Sequence, residues 1–357
     1  MAGARKIVIA TGGTAGHVVP ALAVADALRA EGAEVSFIGG DRAEAQLVPA
    51  AGFPFHRIAV EGMSRGDPLA AARALARAAL AVPRARALLR RLAPDAVMGG
   101  GGYAAGPVGV AALSLRLPLV LTEADSHLGL TNRLLARFAR RVCLAFALPG
   151  RDGERYRVTG RPIPPPAGDR ERARARFEIE PATTCVLVFG GSLGARSINL
   201  AALEAFAGAG FRVLHVSGRR DYAELRARGA RPGYDLREYL ELDDFAQALA
   251  AADLAVARAG GSVFELAAAG LPAILVPYPH AAADHQAENA RWMADAGAAV
   301  VIEDARLTPA RLLAQAQALL GDRERLAAMA AAARSLARPQ AAREVAAELL
   351  AAGSAGA

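Results

Sequence analysis

Two glycine-rich stretches of the chain have the residue types that a phosphate-binding turn needs. The first reads Thr-Gly-Gly-Thr-Ala-Gly-His over residues 11–17, and the second reads Gly-Gly-Ser-Leu-Gly-Ala-Arg over residues 190–196. Each follows an apolar run and precedes a predicted helix, so unpaired backbone N–H groups meet the positive end of a helix dipole. Each turn is therefore a candidate cradle for a phosphate or another anionic group.

A histidine closes the first of these turns. His17 stands at the start of a predicted helix, where the helix dipole favours a neutral imidazole. A neutral imidazole can act as a general base near neutral pH. The alternative is a histidine that only caps or orients the helix.

A third glycine cluster follows another predicted strand. Gly99–Gly102 precede Tyr103, and Gly106-Pro107 come next. Consecutive glycines allow the backbone to approach a ligand closely, although simple loop flexibility is the alternative.

The stretch from Arg258 to Asn289 contains polar residues suited to a nucleotide sugar. Glu265 falls in the first turns of a predicted helix, where its carboxylate can accept hydrogen bonds from both ribose hydroxyls; a surface charge near a helix N-terminus is the alternative. Gln286 and Asn289 are three residues apart, so they share a helix face and can both meet polar sugar groups.

Several common sites are excluded or disfavoured by spacing. Neither turn has the G-x-G-x-x-G spacing of a dinucleotide site, the second strand ends Gly39-Gly40 without an acidic residue, and no G-x-x-x-x-G-K-[ST] occurs. His280, Asp284 and His285 fit no common zinc pattern. We therefore expect neither a metal nor a cofactor.

Strand and helix patterns alternate along the chain, which predicts an α/β fold of doubly wound parallel sheets. Apolar runs predict strands near residues 6–10, 34–39, 55–60, 95–98, 118–122 and 141–145, and again near 184–189, 212–216, 252–257, 272–276 and 299–302. Predicted helices of the first half include 18–31, 69–92 and 127–139.

A proline-rich connector divides the chain into two predicted domains. Residues 160–166 read Gly-Arg-Pro-Ile-Pro-Pro-Pro, which suits neither a helix nor a strand. We expect domains of residues 1–162 and 163–338 facing a shared cleft. The tail predicts two helices separated by Pro339, and the last of them, about 339–352, is expected to return to the first domain.

The composition and charge of the chain limit the kinds of partner that it can bind. Apolar residues make up 54% of the chain and the net charge is +7, and residues 1–165 carry 21 Arg and Lys against 12 Asp and Glu. An anionic partner is expected for this half: a membrane surface rather than nucleic acid, because aromatic residues are only 5%. Arginines 65, 73, 77, 84, 86, 90 and 91 alternate with Leu and Ala, which predicts a basic amphipathic helix on an anionic leaflet; a solvated helix face is the alternative.

Two further expectations concern the cellular compartment of the protein. Cys143 and Cys185 lie in predicted buried strands, so we expect structural thiols in a cytosolic protein. Neither a signal peptide nor an apolar stretch of about 20 residues is evident, so contact with a membrane is expected to be peripheral.

The motifs together resemble glycosyltransferase family 28, in its branch of peptidoglycan synthesis. The matching residues are Gly12–His17, Gly100–Tyr103 with Gly106-Pro107, Gly129–Asn132, Gly190–Ser192 with Gly194–Arg196, Ala267–Pro272, and Asp284–Gln286 with Asn289. The resemblance spans essentially the whole chain in order. It departs from the family pattern at Ala124-Asp125, at Arg161 near the domain junction, at Leu193, and in the length of the 258–265 stretch.

This resemblance implies a GT-B fold and an inverting transfer of N-acetylglucosamine from UDP-GlcNAc. The acceptor would be the MurNAc 4-hydroxyl of lipid I, the product lipid II, and the place the cytoplasmic membrane face. The first domain would hold the acceptor and the second the donor. His17 would be catalytic and Gly13, Tyr103 and Asn132 would bind the acceptor. The implied donor-binding residues are Thr14, Ala15, Gly16, Asp125, Arg161, Gly191, Ser192, Leu242, Arg258, Gly261, Ser262, Glu265, Gln286 and Asn289.

Three other functions remain open at this point. One is a GT-B enzyme with another lipid acceptor such as diacylglycerol, and another is an epimerase acting on UDP-GlcNAc, for which Asp125 is a hint. The third is a protein that binds the sugar nucleotide without catalysis.

Overall fold

The protein has two compact units. The computed structural model describes residues 4–61, 68–191, 193–228, 232–281 and 284–354. Unit 1 comprises Met1–Ile163 with Arg338–Ala357, and unit 2 comprises Pro164–Ala337. The proline-rich residues 161–166 lie in neither a helix nor a strand.

Unit 1 is built on a seven-stranded sheet in which all neighbouring strands are parallel, in the order β3-β2-β1-β4-β5-β6-β7. The strands are β1 (Lys6–Ala10), β2 (Glu34–Gly39), β3 (Phe55–Arg57), β4 (Ala96–Gly99), β5 (Leu119–Glu123), β6 (Arg141–Leu144) and β7 (Tyr156–Val158). Its helices are α1 (Ala15–Ala30), α2 (Glu44–Ala50), α3 (Pro68–Leu92), α4 (Ala105–Ser114), α5 (Leu130–Leu135) and α14 (Ala341–Ser354).

Both faces of this sheet are covered, because β1 is apolar on both sides. Ile7 and Ile9 pack toward a cluster that includes Val18 of α1 and Leu349 of α14. Val8 packs on the other face, in a cluster with residues of α3 and α4. Helices on both faces make the sheet doubly wound, as the alternation of the sequence predicts.

The carboxyl ends of parallel strands lie at one edge of a sheet, and the glycine-rich turns begin there. The turn at residues 11–14 follows β1, and the cluster at residues 100–102 follows β4, which pairs with β1. Neighbouring strands therefore bring the first and third glycine clusters together.

The chain returns to unit 1 through its last helix. Val345 and Leu349 of α14 are buried against α1, and Glu348 accepts hydrogen bonds from Arg141 (2.8 Å) and Arg157 (2.7 Å) at the edge of the sheet.

Unit 2 repeats the arrangement with six parallel strands in the order β10-β9-β8-β11-β12-β13. The strands are β8 (Cys185–Phe189), β9 (Arg212–Val216), β10 (Tyr234–Arg237), β11 (Leu254–Ala257), β12 (Ala273–Leu275) and β13 (Ala299–Val301). The helices are α6 (Arg170–Arg176), α7 (Arg196–Ala205), α8 (Tyr222–Ala227), α9 (Leu242–Ala251), α10 (Val263–Ala269), α11 (His285–Asp295), α12 (Pro309–Leu320) and α13 (Arg323–Leu336).

The predicted strands are confirmed to within a few residues, and the structure adds two edge strands, β7 and β10. The helix predicted over residues 127–139 is wrong in extent: α5 covers Leu130–Leu135, and a 3-10 turn follows at Ala136–Phe138. Cys143 and Cys185 are free and buried in β6 and β8, and burial raises the pKa of each thiol to about 12. In the described part of the chain, no helix is long and apolar enough to cross a bilayer.

Candidate active site

The first glycine turn leads directly into α1, which begins at Ala15, two residues before His17. Thr14 is the N-cap residue in an extended conformation, and its hydroxyl accepts no capping hydrogen bond from the described part of the helix. The carbonyl oxygen of Thr14 accepts bonds from the N–H of His17 (3.0 Å) and of Val18 (3.3 Å). Thr14, Ala15 and Gly16 therefore form a helix N-terminus without a side-chain cap, as an anion-binding turn requires.

The imidazole of His17 lies against the third glycine cluster. A Cβ atom on Gly101, where φ is +84°, would be 2.9 Å from His17 Nδ1, so only glycine leaves room for the ring. Burial, and then the charge of Arg161, lowers the pKa of His17 from its ordinary 6.5, although Asp125 and Glu44 oppose this. The imidazole is consequently neutral at pH 7 and can accept a proton.

Arg161 connects α1 to the loop after β5. Its guanidinium donates to the carbonyl oxygen of Gly16, and to that of Ala124 at 3.5 Å, and the residue is buried. Asp125, in that loop, is half-buried, and its backbone N–H donates to Glu123 at 3.3 Å. Asp125 and Arg161 thus both lie close enough to the first turn of α1 for their charges to act on His17.

The loop that follows β5 is organised by a buried pair, Glu123 and Asn132. Asn132 Nδ2 donates to Glu123 Oε2 and to the Thr122 carbonyl oxygen, both at 2.9 Å, and the N–H of Gly129 donates to Glu123 Oε2 at 2.8 Å. Burial raises the pKa of Glu123, against the effect of these hydrogen bonds. Asn132 Oδ1 is buried and has no hydrogen-bond partner among the described residues.

Tyr103 lies near the first turn, close to Gly13. A Cβ atom on Gly13 would be 3.7 Å from Tyr103 Cε1 and 3.8 Å from His17 Cδ2, so both rings lie next to Gly13. The Tyr103 hydroxyl donates to Glu44 Oε1 at 2.6 Å, and burial, then this bond, raises the pKa of the phenol. Unit 1 therefore brings Gly13, His17 and Tyr103 together.

The second glycine turn, in unit 2, packs on the end of β9. A Cβ atom on Gly194 would collide with the carbonyl oxygen of Ser217, so the close approach requires glycine there. Gly191 and Leu193 are exposed, and the N–H of Gly194 donates to the Gly191 carbonyl oxygen at 2.9 Å. Ser192, which we predicted to bind the donor, lies outside the described residues.

A buried hydrogen-bond network holds Ser217, the residue that Gly194 of this turn approaches. Asn199 of α7 donates through Nδ2 to the Ser217 carbonyl oxygen and to Asp221, both at 2.8 Å. Because both partners accept, Asn199 Oδ1 must be the atom 3.0 Å from His215 Nε2, which therefore donates. His215 Nδ1 then accepts from the Tyr234 hydroxyl at 2.7 Å.

Arg258 joins three segments of unit 2. Its guanidinium donates to the carbonyl oxygens of Val276 (3.0 Å) and Pro277 (3.1 Å), to Asp304 (2.6 Å) and to the hydroxyl of Ser197 (2.8 Å). These bonds hold the start of α7 and the end of β12 in place, so Arg258 is a support of the surrounding loops.

The remaining predicted donor residues surround the start of α10 in unit 2. Gly261 and Ser262 precede this helix and are partly exposed, and Glu265 is half-buried in its first turn. Leu242, at the start of α9, is also partly exposed.

Two amide side chains of α11 reach the loops that follow β11 and β12. Asn289 Nδ2 donates to the Ala259 carbonyl oxygen at 3.0 Å, and Gln286 Oε1 accepts from the N–H of Tyr278 at 3.0 Å. Asn289 Oδ1 is buried without a partner in the described part of the chain.

Sequence reasoning missed the supporting residues of both units, namely Glu44, Ser197, His215 and Asp304. A glutamate at the start of a helix, four residues after the Gly39-Gly40 pair, is the only sequence signal that points to Glu44. Across the described ranges, no group of three His, Cys, Asp or Glu side chains is placed to hold a metal ion.

Comparison with known proteins identifies the family. The glycosyltransferase family 28 N-terminal domain matches residues 7–144, and the family 28 C-terminal domain matches residues 185–346. A Halorhodospira halophila protein is 45% identical over 96% of this chain and 97% of its own length. It is named UDP-N-acetylglucosamine--N-acetylmuramyl-(pentapeptide) pyrophosphoryl-undecaprenol N-acetylglucosamine transferase.

Comparison with solved structures is consistent with this family. The crystal structure of Acinetobacter baumannii MurG has a TM-score of 0.74 and 31% identity, covering 97% of this chain and 99% of that one. A Neisseria meningitidis UDP-GlcNAc 2-epimerase bound to UDP-GlcNAc shares the fold alone, with a TM-score of 0.67 and 13% identity over 97% of this chain and 100% of that one. The architecture is GT-B, and the predicted resemblance is confirmed: the chain belongs to glycosyltransferase family 28.

Proposed function

We propose that this chain transfers N-acetylglucosamine from UDP-GlcNAc to lipid I, the undecaprenyl-pyrophosphoryl-MurNAc-pentapeptide, and so makes lipid II. The names of its relatives, at 41–45% identity over nearly the whole chain, support the donor and the acceptor. The observation within the molecule that carries the proposal is the place of His17, at an uncapped helix N-terminus against Gly101, where burial lowers the pKa of its imidazole.

His17 is the proposed general base. It takes the proton of the MurNAc 4-hydroxyl while that oxygen forms a bond to the anomeric carbon of GlcNAc. The bond from this carbon to the diphosphate of UDP breaks on the opposite face, so the configuration inverts. Gly13, Tyr103 and Asn132 are the proposed acceptor contacts.

Unit 2 is the proposed site of the nucleotide. Glu265 accepts from the ribose hydroxyls, and the turn of Gly191 and Ser192 holds the diphosphate through backbone N–H groups. Gln286 and Asn289 contact the sugar, Leu242, Gly261 and Ser262 line the site, and Arg258 fixes the loops around it. In unit 1, the proposed donor contacts are Thr14, Ala15, Gly16, Asp125 and Arg161.

We propose that no metal ion is needed, because backbone N–H groups and helix dipoles stabilise the charge of the departing diphosphate. The enzyme would work as a peripheral protein at the cytoplasmic face of the membrane, where the basic helix α3 meets anionic lipid.

The test is a transfer assay with radiolabelled UDP-GlcNAc and a short-chain lipid I analogue, with and without EDTA. We expect formation of the lipid II analogue at the same rate in both. Transfer to diacylglycerol but not to lipid I, a 2-epimer formed from UDP-GlcNAc alone, or binding without turnover would each contradict the proposal.

A further inference from the structure

The carboxylate of Glu44 is fully buried at the start of α2, beneath the first glycine turn. Its Oε2 accepts from the N–H of Gly13 at 2.9 Å, while Oε1 accepts from the N–H of Gly40 at 2.9 Å and from the Tyr103 hydroxyl at 2.6 Å. A buried carboxyl group is unfavourable unless its oxygens are hydrogen-bonded. All three partners are donors, as a carboxylate requires.

The three donors come from three different segments of unit 1. Gly13 belongs to the turn after β1, Gly40 follows β2, and Tyr103 follows the glycine cluster after β4. These segments are far apart in the sequence, and Glu44 is the one side chain among the described residues that bonds to all three. Its carboxylate therefore determines how they are arranged.

The glycine after β2 leaves room for this carboxylate and for Tyr103. A Cβ atom on Gly40 would lie 2.7 Å from the Tyr103 ring and 3.1 Å from Glu44 Oε1, so a larger residue there would displace both. In a dinucleotide-binding domain this strand end supplies an acidic residue to a ribose. Here the acidic group comes from α2 and is occupied by the protein's own N–H and O–H groups.

We propose that Glu44 is a positioning residue for the transfer reaction, acting by fixing Gly13 and Tyr103 beside His17. The inference rests on the proposed function, in which Gly13 and Tyr103 contact the acceptor. Glu44 does not touch the acceptor; it holds the backbone and the hydroxyl that do. Loss of its carboxylate should therefore impair acceptor use while the nucleotide site of unit 2 is unaffected.

Glu44→Gln tests this with almost no change of shape. A glutamine has one acceptor oxygen and one NH₂ donor. If its oxygen faces Gly40 and Tyr103, its NH₂ group faces the N–H of Gly13, and if it is turned round, the NH₂ group faces the N–H of Gly40. In either orientation one backbone donor loses its acceptor.

The matched control is Glu34→Gln, which removes the same charge from an exposed position on β2 in the same unit. We expect Glu44→Gln to lower kcat/KM for the lipid I analogue by roughly 10- to 100-fold, with a raised acceptor KM. UDP affinity, measured by calorimetry, should stay within about twofold of the wild type, because the contacts proposed for its ribose and diphosphate are in the other unit. Glu34→Gln should match the wild type throughout.

A second measurement does not depend on activity. Amide hydrogen exchange of the peptide covering residues 11–16 or of the peptide covering 38–44 should accelerate in Glu44→Gln, because one donor has lost its partner; neither should accelerate in Glu34→Gln. If the wild type fails to use lipid I but exchange still accelerates, the proposed function is wrong and the positioning of the turn by Glu44 stands.

Four results would overturn the inference. One is equal acceptor kinetics in the two variants, and another is unchanged exchange of both peptides. The third is loss of UDP binding together with acceptor use, and the fourth is failure of Glu44→Gln to fold, because in these two cases Glu44 would serve the fold as a whole.

Discussion

Arg161 and His17 are electrostatically coupled across the start of α1. The guanidinium of Arg161 donates to the Gly16 carbonyl oxygen, one residue before His17, and its charge lowers the pKa of the imidazole. Asp125 and Glu44 act in the opposite direction. The balance of these groups with burial determines the pH at which His17 becomes a base.

Replacing Arg161 should move the pH dependence of the reaction. In Arg161→Gln a positive charge that disfavours protonation is lost, so the pKa of His17 rises. A general base works only when deprotonated, so the acid limb of the kcat/KM profile should shift to higher pH.

Arg161→Lys is the matched control for this prediction. It keeps the charge but loses the geometry of the guanidinium, so its rate should fall without a shift of the acid limb. Equal shifts in the two variants would contradict the electrostatic explanation.

Removing the proposed base should slow turnover specifically. We expect His17→Ala to lower kcat by about 10²- to 10⁴-fold, the usual contribution of general-base catalysis, while UDP affinity barely changes. His56→Gln, on β3 of the same unit, should retain activity. Near-normal turnover of His17→Ala would exclude this histidine from the mechanism.

Glu265→Ala should weaken nucleotide binding through the ribose. Loss of a charge-assisted hydrogen bond corresponds to a rise of roughly 10- to 100-fold in the Kd of UDP. Calorimetry should show the same weakening for uridine and none for pyrophosphate. Glu204→Ala, an exposed control on α7, should bind as the wild type does. An equal loss for pyrophosphate would place the effect elsewhere than the ribose.

The fold could be predicted from the sequence because its central strands are buried on both faces. Continuous apolar runs such as Ile7–Ala10 and Cys185–Phe189 indicate such strands directly. Strands β7 and β10 were missed because Tyr156–Val158 and Tyr234–Arg237 are partly exposed and carry charged residues. Neither segment has the continuous apolar run that indicates a buried strand.

The candidate site could be predicted only in part. Glycine turns and His17 are local motifs, so their spacing shows them. The residues that hold these motifs act over long sequence separations, 59 residues from Glu44 to Tyr103 and 145 from Gly16 to Arg161. A single sequence contains no signal for such a pair, since any buried polar side chain could be the partner.

Helix α3 should bind anionic membranes. Leu75 and Leu80 are 68% and 78% exposed on it, among arginines that include Arg84 and Arg90; Arg65, also predicted to contribute, lies outside the described residues. We expect binding to phosphatidylglycerol vesicles that falls at high salt.

Two double variants separate the contributions to this binding. Arg84→Gln with Arg90→Gln should weaken binding by roughly fivefold for each charge, on the basis of about 1 kcal/mol per arginine near the surface. Leu75→Ser with Leu80→Ser should weaken the binding that persists at high salt. Arg323→Gln with Arg325→Gln, exposed on α13 of unit 2, is the control. Vesicle binding that does not change with salt concentration, or no binding at all, would contradict the proposed role of α3 in membrane attachment.

His215 should make the stability of unit 2 depend on pH. Burial lowers the pKa of this histidine to about 3, whereas it is 6.5 in an unfolded chain. Below pH 6.5 the unfolded state therefore binds a proton at this histidine, whereas the folded state does not bind it until about pH 3. Stability contributed by the neutral histidine is complete above pH 6.5 and is lost as the pH falls, by up to about 1.4 kcal/mol per pH unit.

The one tryptophan of the chain makes this measurable. Trp292 lies on α11 in unit 2 and packs on Phe264, with ring centroids 5.0 Å apart, so its fluorescence reports the unfolding of that unit. Urea unfolding at pH 7.5, 6 and 5 should show this fall of stability with pH in the wild type and in His280→Gln, since His280 is an exposed histidine of the same unit. His215→Gln should be less stable at pH 7.5, because the bonds to Asn199 and Tyr234 are disturbed, but its deficit should shrink as the pH falls. A deficit that stays constant across this range would mean that His215 is protonated equally in the folded and unfolded states, contrary to its burial.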